Sequence, residues 1–353
     1  MNQSEKDPVQ ENLLIAIQRL NRLVLVLLLT VMLMPLAFSY KEEILALFEK
    51  EQPSPLPEKV EEPAPDPNAG FWKAPDPQGL AAGPDKELVL YGQDLIAHTA
   101  KYLGPSGSVA QISNGLNCQN CHLDAGTRVY GNNYGSVAST YPKFRARSGA
   151  EEDIFKRVND CFERSLNGSP LAEDSREMQA IKAYITFLGT NVQKGKKAEG
   201  SGLKDLAFLD RPADPLKGKE VYTAKCQSCH QQNGEGTLRP DGTEYIYPPL
   251  WGQYSYNDAA GLYRISNFAK YAKYNMPLGA THFNAQLSDE EAWDVAAYVN
   301  TQPRPHKSVP ADWPDVSKKP IDHPVGPYAD SFDEQQHKFG PWKPIQEFYA
   351  TRK

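Results

Sequence analysis

The chain has 353 residues, of which 40% are hydrophobic and 23% are charged, and its net charge at pH 7 is −6. This length is enough for two domains, each with a core of its own. A net negative charge repels polyanions, so the composition argues against nucleic acid as a partner. It also indicates that any small anion would bind in a local cationic pocket.

An uncharged apolar run from Leu23 to Tyr40 lies near the N-terminus. As a helix it would measure roughly 27 Å, close to the roughly 30 Å of a bilayer core. Arginines precede the run and glutamates follow it, which places the N-terminus inside and the rest of the chain outside. The sequence therefore predicts a single-pass inner-membrane protein with its main part in the periplasm. The alternative is a signal peptide cleaved near Ala37 to Ser39, which would leave a soluble periplasmic protein.

The segment from Pro53 to Pro84 is rich in Pro, Glu, Asp and Ala. Such a composition cannot bury a core and favours extended, partly polyproline II backbone. We expect it to act as a spacer between the apolar run and the rest of the chain.

The remaining sequence contains a weak repeat of two modules. Each module opens with a helical pattern that includes a glycine, Gly92 in the first and Gly218 in the second. A Cys-x-x-Cys-His run follows, and an aromatic helical pattern with a capping-box spacing at its start closes the module. The capping pairs are Asp174 with Glu177 and Ser288 with Glu291. Strand patterns are almost absent, so the predicted fold class is all-α.

Four of the five cysteines belong to the two Cys-x-x-Cys-His runs. The runs consist of Cys118, Cys121 and His122, and of Cys226, Cys229 and His230. This spacing places two thiols one helical turn apart, so both can form thioethers to a haem while the adjacent histidine binds the iron. One such run could be a redox dithiol or half of a zinc site. Two runs in the same helical frame predict two covalently bound haem c groups.

The fold expected from these features is two tandem cytochrome c domains after a transmembrane helix and a Pro-rich linker. The predicted boundaries are 1–50 for a cytoplasmic tip, the anchor and a short helix, 51–85 for the linker, 86–200 for the first domain, 201–303 for the second, and 304–353 for an extended tail.

The sixth iron ligand should distinguish the two haems. In the second module Met276 precedes Pro277, a usual setting for a distal methionine, and Met/His ligation raises the reduction potential. A packing role for Met276 is the alternative. Met178 lies in a closing helix and is expected to be a core residue.

The fifth cysteine, Cys161, lies in the helical pattern from Ile154 to Ser165. Arg157, Cys161 and Ser165 are spaced i, i+4, i+8 and should share one helix face. A lone cysteine is usually a small buried residue. Here the first haem lacks a distal methionine, so Cys161 is a candidate iron ligand, and a thiolate ligand suits chemistry with soft sulfur compounds.

The sequence resembles the thiosulfate dehydrogenase family, whose members are di-haem enzymes that form tetrathionate. The resemblance runs from Phe71 to about Ile345, and its most specific stretches are Asn117–Gly126, Asn159–Gly168 and Pro320–Phe332. It implies that His122 and Cys161 ligate the active-site haem, and that His230 and Met276 ligate the haem through which electrons leave.

The resemblance also implies that Arg147, Arg157 and Ser165 line the substrate pocket. For Arg147, which belongs to a basic run, a solvated surface charge is the alternative. Some relatives carry a lysine before the distal methionine and exchange the two as ligands. Here Asn275 occupies that position, so no such exchange is expected.

The predicted function is an oxidoreductase that couples two thiosulfates to tetrathionate with release of two electrons, with the reverse reaction open at the same site. The expected electron acceptor is a cytochrome or a membrane-bound oxidase. A plain electron-transfer cytochrome is the main alternative. A di-haem peroxidase would need a vacant iron position, and Cys161 argues against that.

Overall fold

The computed structural model describes residues 8–40 and 66–352, and the chain divides into a unit up to Pro65 and a second unit from Asp66 onward. In the first unit, helix α1 (Pro8–Ser39) contains the apolar run. Its portion Ala16–Pro35 is long and apolar enough to cross a membrane, a test that a signal sequence also passes. The short helix predicted before residue 51 and the spacer residues 51–65 lie outside the described residues.

The first module of the second unit is mainly helical. Its helices are α2 (Pro84–Ala97), α3 (Thr99–Leu103), α4 (Leu123–Gly126), α5 (Val137–Thr140), α6 (Ile154–Arg164) and α7 (Arg176–Leu188). The opening helix α2 packs on the closing helix α7. A Cβ atom at Gly92 would lie 2.0 Å from the Ala180 carbonyl oxygen, so only glycine allows this close approach. Met178 is fully buried in this core, as predicted.

The second module repeats this arrangement. Its helices are α8 (Pro215–Lys225), α9 (Gln227–His230), α10 (Ile265–Asn275) and α11 (Asp289–Thr301). The opening helix α8 crosses the closing helix α11 at Gly218, where a Cβ atom would lie 1.9 Å from the Asp294 carbonyl oxygen. Both glycines therefore allow the opening helix to approach the closing helix closely. The repeat predicted from the sequence is also present in the structure, as the same packing of opening on closing helix in both modules.

Six strands of two or three residues form three two-stranded antiparallel pairs in the described chain. The strands are β1 (Gly131–Asn133), β2 (Lys143–Arg145), β3 (Ala150–Glu152), β4 (Gly202–Leu203), β5 (Thr237–Leu238) and β6 (Tyr245–Tyr247). They pair as β1 with β4, β2 with β3, and β5 with β6. These short pairs join loops to one another and form no larger sheet in the described residues. The fold is therefore mostly helical, as predicted.

One of the two predicted capping boxes is confirmed. The Ser288 hydroxyl accepts from the Glu291 amide at 3.0 Å, and the Glu291 carboxylate accepts from the Ser288 amide at 2.8 Å. At α7 the N-cap is Ser175, not the predicted Asp174, because the Ser175 hydroxyl lies three residues before the Met178 amide that it caps.

One predicted boundary and one predicted conformation need correction. The spacer was expected to reach residue 85, but Trp72 is buried in the first module, where its indole nitrogen donates to Asn191 Oδ1 at 2.8 Å. The tail was expected to be extended, but it contains α12 (Glu334–Phe339) and α13 (Lys343–Ala350). Trp342 and Ile345 are fully buried in the core of the second module, because large apolar side chains are stabilised by leaving water.

Candidate functional site

A cavity of about 190 Å³ in the first module lies between the Cys-x-x-Cys-His run and helix α6. The predicted site residues that line it are Cys118, Cys121, His122, Arg157, Cys161 and Ser165. A histidine next to two thiols and a further cysteine thus share one cavity, where the two thiols could hold a haem covalently and the other two side chains could ligate its iron.

Helix α6 places the cavity residues through its 3.6-residue period. It begins at an Asp153 N-cap, whose carboxylate accepts from the Lys156 amide at 2.8 Å, and it ends at Arg164. Arg157, Cys161 and Ser165 fall on its cavity face, as their spacing predicted. The neighbouring Cys161 sulfur raises the pKa of Arg157 more than desolvation lowers it, so this arginine is a cation.

The first-module histidine is held in one orientation. His122 Nδ1 donates to the Asn132 carbonyl oxygen on β1 at 2.6 Å, and its ring stacks on Tyr134 with a centroid distance of 4.5 Å. Because the carbonyl can only accept, Nδ1 carries the proton and Nε2 keeps its lone pair. Burial lowers the pKa of His122 to about 4, so the imidazole is neutral at physiological pH, the form that binds iron.

A cavity of about 510 Å³ is lined by the second motif, and Cys226, Cys229, His230 and Met276 all contribute to it. His230 Nδ1 donates to the Pro248 carbonyl oxygen at 2.8 Å, the same device that orients the first histidine. Met276 follows directly after α10. Tyr256 also lines this cavity, and its hydroxyl is buried without a hydrogen-bond partner in the described chain, which fits a bound group that carries polar substituents.

The two cavities are neighbours, because Leu116, Asn117 and Cys121 line both. These three residues form a shared wall between the cavities. Hydrogen bonds join this segment to the second module, since Tyr271 Oη donates to the Asn120 carbonyl oxygen at 2.6 Å and Asn117 Nδ2 donates to Glu244 Oε1 at 3.0 Å. Sequence reasoning missed this shared wall. A sequence feature that could have indicated it is the position of Asn117 immediately before Cys118, the first residue of the first motif.

Comparison with known proteins agrees with this architecture. The SoxA/TsdA cytochrome c domain family matches residues 108–193, and the cytochrome c family matches residues 216–303. The thiosulfate dehydrogenase of Stutzerimonas stutzeri (strain A1501) is 34% identical over 235 residues, which cover 67% of this chain and 73% of that protein. That of Psychrobacter arcticus (strain DSM 17307 / VKM B-2377 / 273-4) is 38% identical over 248 residues, or 69% and 71% of the two proteins. The chain belongs to the thiosulfate dehydrogenase family.

Membership in the thiosulfate dehydrogenase family makes this protein an oxidoreductase with two cytochrome c domains and two covalently attached haem c groups. A solved structure, the thiosulfate dehydrogenase (TsdBA) of Marichromatium purpuratum in its as-isolated form, superposes with a TM-score of 0.63 at 28% identity. The match covers 74% of this chain and 54% of that one, so this chain spans about half of that protein.

Two residues singled out by likeness to the thiosulfate dehydrogenase family occupy unexpected surroundings. Arg147 is not among the residues that line the first cavity, and its guanidinium donates instead to the Asp160 carboxylate on another face of α6. Asn275, which stands where some relatives have a lysine, is buried and donates to the Tyr130 carbonyl oxygen at 3.2 Å. Its side chain therefore ties the second module to the first.

Proposed function

We propose that this di-haem enzyme oxidises two thiosulfates to one tetrathionate with release of two electrons, and that the same site catalyses the reverse reaction. The observation that carries the proposal is the set of side chains in the first cavity. A histidine, a cysteine and a half-buried arginine share it, and the arginine guanidinium makes no hydrogen bond to the described part of the chain. A sulfur nucleophile beside an uncommitted cation suits a sulfur-containing anion.

The proposed haem attachments are Cys118 and Cys121 in the first module and Cys226 and Cys229 in the second. His122 and Cys161 are the proposed iron ligands of the first haem, and His230 and Met276 those of the second. When bound, each haem accepts one electron, so the pair matches a two-electron oxidation. His230 and Met276 as ligands would give the second haem the higher potential, which would favour electron transfer from the first module to the second.

Substrate binding needs a cation, because thiosulfate is a dianion. Two unit charges 4 Å apart repel by about 1 kcal/mol even in water, and two dianions by about four times as much. Arg157 offsets this repulsion and presents a planar set of N–H donors to sulfonate oxygens. The Ser165 hydroxyl, two turns along the same helix face from Arg157, offers a further donor.

The covalent route uses Cys161 as the nucleophile, for which its sulfur would leave the iron at the start and return to it at the end. The Cys161 thiolate and one thiosulfate lose two electrons together, and a bond forms between Sγ and the terminal sulfur of thiosulfate. The terminal sulfur of a second thiosulfate then attacks that same sulfur. The Sγ–S bond breaks, tetrathionate leaves, and Cys161 returns as the thiolate. Charge balances in both steps without proton transfer.

The two electrons are proposed to cross the wall formed by Leu116, Asn117 and Cys121 into the second module, and to leave from there to an acceptor cytochrome or a membrane-bound oxidase. Helix α1 is proposed to anchor the enzyme in the inner membrane with both haem domains in the periplasm. Proximity to a membrane-bound acceptor would be the advantage of that anchor. If α1 were a cleaved signal sequence, the same domains would be soluble in the periplasm.

Replacement of Cys161 by glycine tests this function. We expect Cys161→Gly to lose turnover in both directions, measured with thiosulfate plus an oxidant and with tetrathionate plus a reductant, while the intact mass still shows two haems. The thiolate signature in the spectrum of the first haem should disappear. A variant that forms tetrathionate at close to the wild-type rate would instead indicate a plain electron-transfer cytochrome.

A further inference from the structure

Helix α6 has a second, charged face next to the face that lines the first cavity. Asp160 and Arg164 on this face are buried, with 2% and 9% of their surface exposed. Asp160 is surrounded by cations, since it accepts from Arg147 and, at 2.7 Å, from Lys156 Nζ. Burial raises the pKa of Asp160, but these cations outweigh burial and hold that pKa below its ordinary value, so Asp160 is a carboxylate.

The partner of Arg164 comes from far along the chain. Arg164 Nη1 donates to Asp312 Oδ2 at 2.7 Å and Nη2 donates to Asp312 Oδ1 at 2.9 Å. Asp312 lies in the tail, after the second module has closed with α11. The next tail residue, Trp313, donates its amide to the Arg147 carbonyl oxygen at 2.6 Å. The tail therefore contacts two of the three cationic residues around Asp160, Arg164 through its guanidinium and Arg147 through its backbone carbonyl.

The second module also supplies donors to the end of α6. The last carbonyls of a helix lack partners within the helix. Here the Asn257 amide donates to the Arg164 carbonyl oxygen at 3.1 Å, and Asn257 Nδ2 donates to the Glu163 carbonyl oxygen at 2.9 Å. The hydrogen bonds from Asn257 thus restrict movement of α6 along its own axis. The pairing of Asp312 with Arg164 restricts rotation of α6 about that axis.

We propose that Asp312 is a positioning residue, which through its two-pronged pairing with Arg164 sets the rotation of α6 and so keeps Cys161 and Arg157 facing the first cavity. The inference rests on the proposed role of Cys161 as an iron ligand. Its physical basis is geometric. Arg164 is about one turn from Cys161, and a planar guanidinium that pairs with both carboxylate oxygens permits little rotation.

The test compares full-length haem-loaded variants in the resting, oxidised state. Asp312→Asn keeps the side-chain size but places an N–H₂ group against one Arg164 nitrogen, so the pair cannot form twice. We expect the thiolate signature of the first haem, read by optical and electron paramagnetic resonance spectra, to fall to half or less of the wild-type amplitude. Asp312→Glu, which restores the charge, should recover most of it.

The matched control is Asp294→Asn. Asp294 pairs in the same two-pronged way with Arg211, at 2.8 Å for both bonds, but it lies in the second module. That variant should keep the full thiolate signature. If Asp312→Asn yields too little folded protein, Arg164→Lys removes the same planar pairing, keeps the charge and should lose the signature similarly.

A full thiolate signature in Asp312→Asn, or in Arg164→Lys, overturns the positioning role while the proposed function stands, provided Cys161→Gly loses the signature. If Cys161→Gly keeps the signature, Cys161 is not the ligand, and both proposals fall. Loss of the signature in Asp294→Asn to the same extent as in Asp312→Asn would also overturn the proposal, because the effect would then follow general destabilisation.

Discussion

Replacing Arg157 by glutamine should weaken thiosulfate turnover without changing haem ligation. Arg157 lines the first cavity, and its guanidinium makes no hydrogen bond within residues 8–40 and 66–352, so its donors can face the substrate. A hydrogen bond to a charged group contributes about 1.5–3 kcal/mol, and each 1.4 kcal/mol is a factor of ten. We therefore expect kcat/KM for thiosulfate to fall by roughly 10- to 150-fold in Arg157→Gln.

The assay is steady-state oxidation of thiosulfate by an artificial acceptor over a range of substrate concentrations. If Arg157 binds ground state and transition state equally, KM rises and kcat is unchanged, whereas a contact made only in the transition state lowers kcat. Arg176→Gln is the matched control, because Arg176 lies on α7 over the Tyr91 ring and does not line the cavity. It should behave as wild type.

The spectrum of the first haem provides an internal check on Arg157→Gln. Arg157 is proposed to contact the anion and not the iron, so the thiolate signature should be retained. A kcat/KM within twofold of the wild-type value would refute the argument that Arg157 is the substrate cation. Loss of the thiolate signature would instead show that Arg157 acts on Cys161.

Two further predictions concern electron exit and location. Met276→Gly should lower the potential of the second haem and slow acceptor-coupled turnover while leaving thiosulfate binding to the first module intact; an unchanged potential in a redox titration would require another distal ligand. Protein made in its own membrane should remain in the pellet in high salt, dissolve in detergent and retain its N-terminal residues. A mature N-terminus near Tyr40 would show that α1 is a cleaved signal sequence.

The sequence alone was sufficient for most features that depend on local spacing, although it placed the N-cap of α7 at Asp174 and not at Ser175. Both Cys-x-x-Cys-His runs are recognisable because two thioethers and a ligand need one helical turn, whatever the rest of the fold does. The shared face of Arg157, Cys161 and Ser165 follows from the helical period, and the structure has all three in one cavity. Gly92 and Gly218 also occupy equivalent positions in the two modules, where the opening helix closely approaches the closing helix.

The tertiary structure decided the features that depend on residues distant in sequence. Nothing in the basic run around Arg147 shows that Asp160 takes its guanidinium, whereas Arg157 is left facing the cavity. The Pro-rich composition of residues 51–85 predicted a spacer, but Trp72 in this segment is buried in the apolar core of the first module. Asp312 meets Arg164 across 148 residues. Burying a charge costs free energy unless an opposite charge lies beside it. Which charges meet is set by how the modules and the tail pack, and local spacing does not encode that packing.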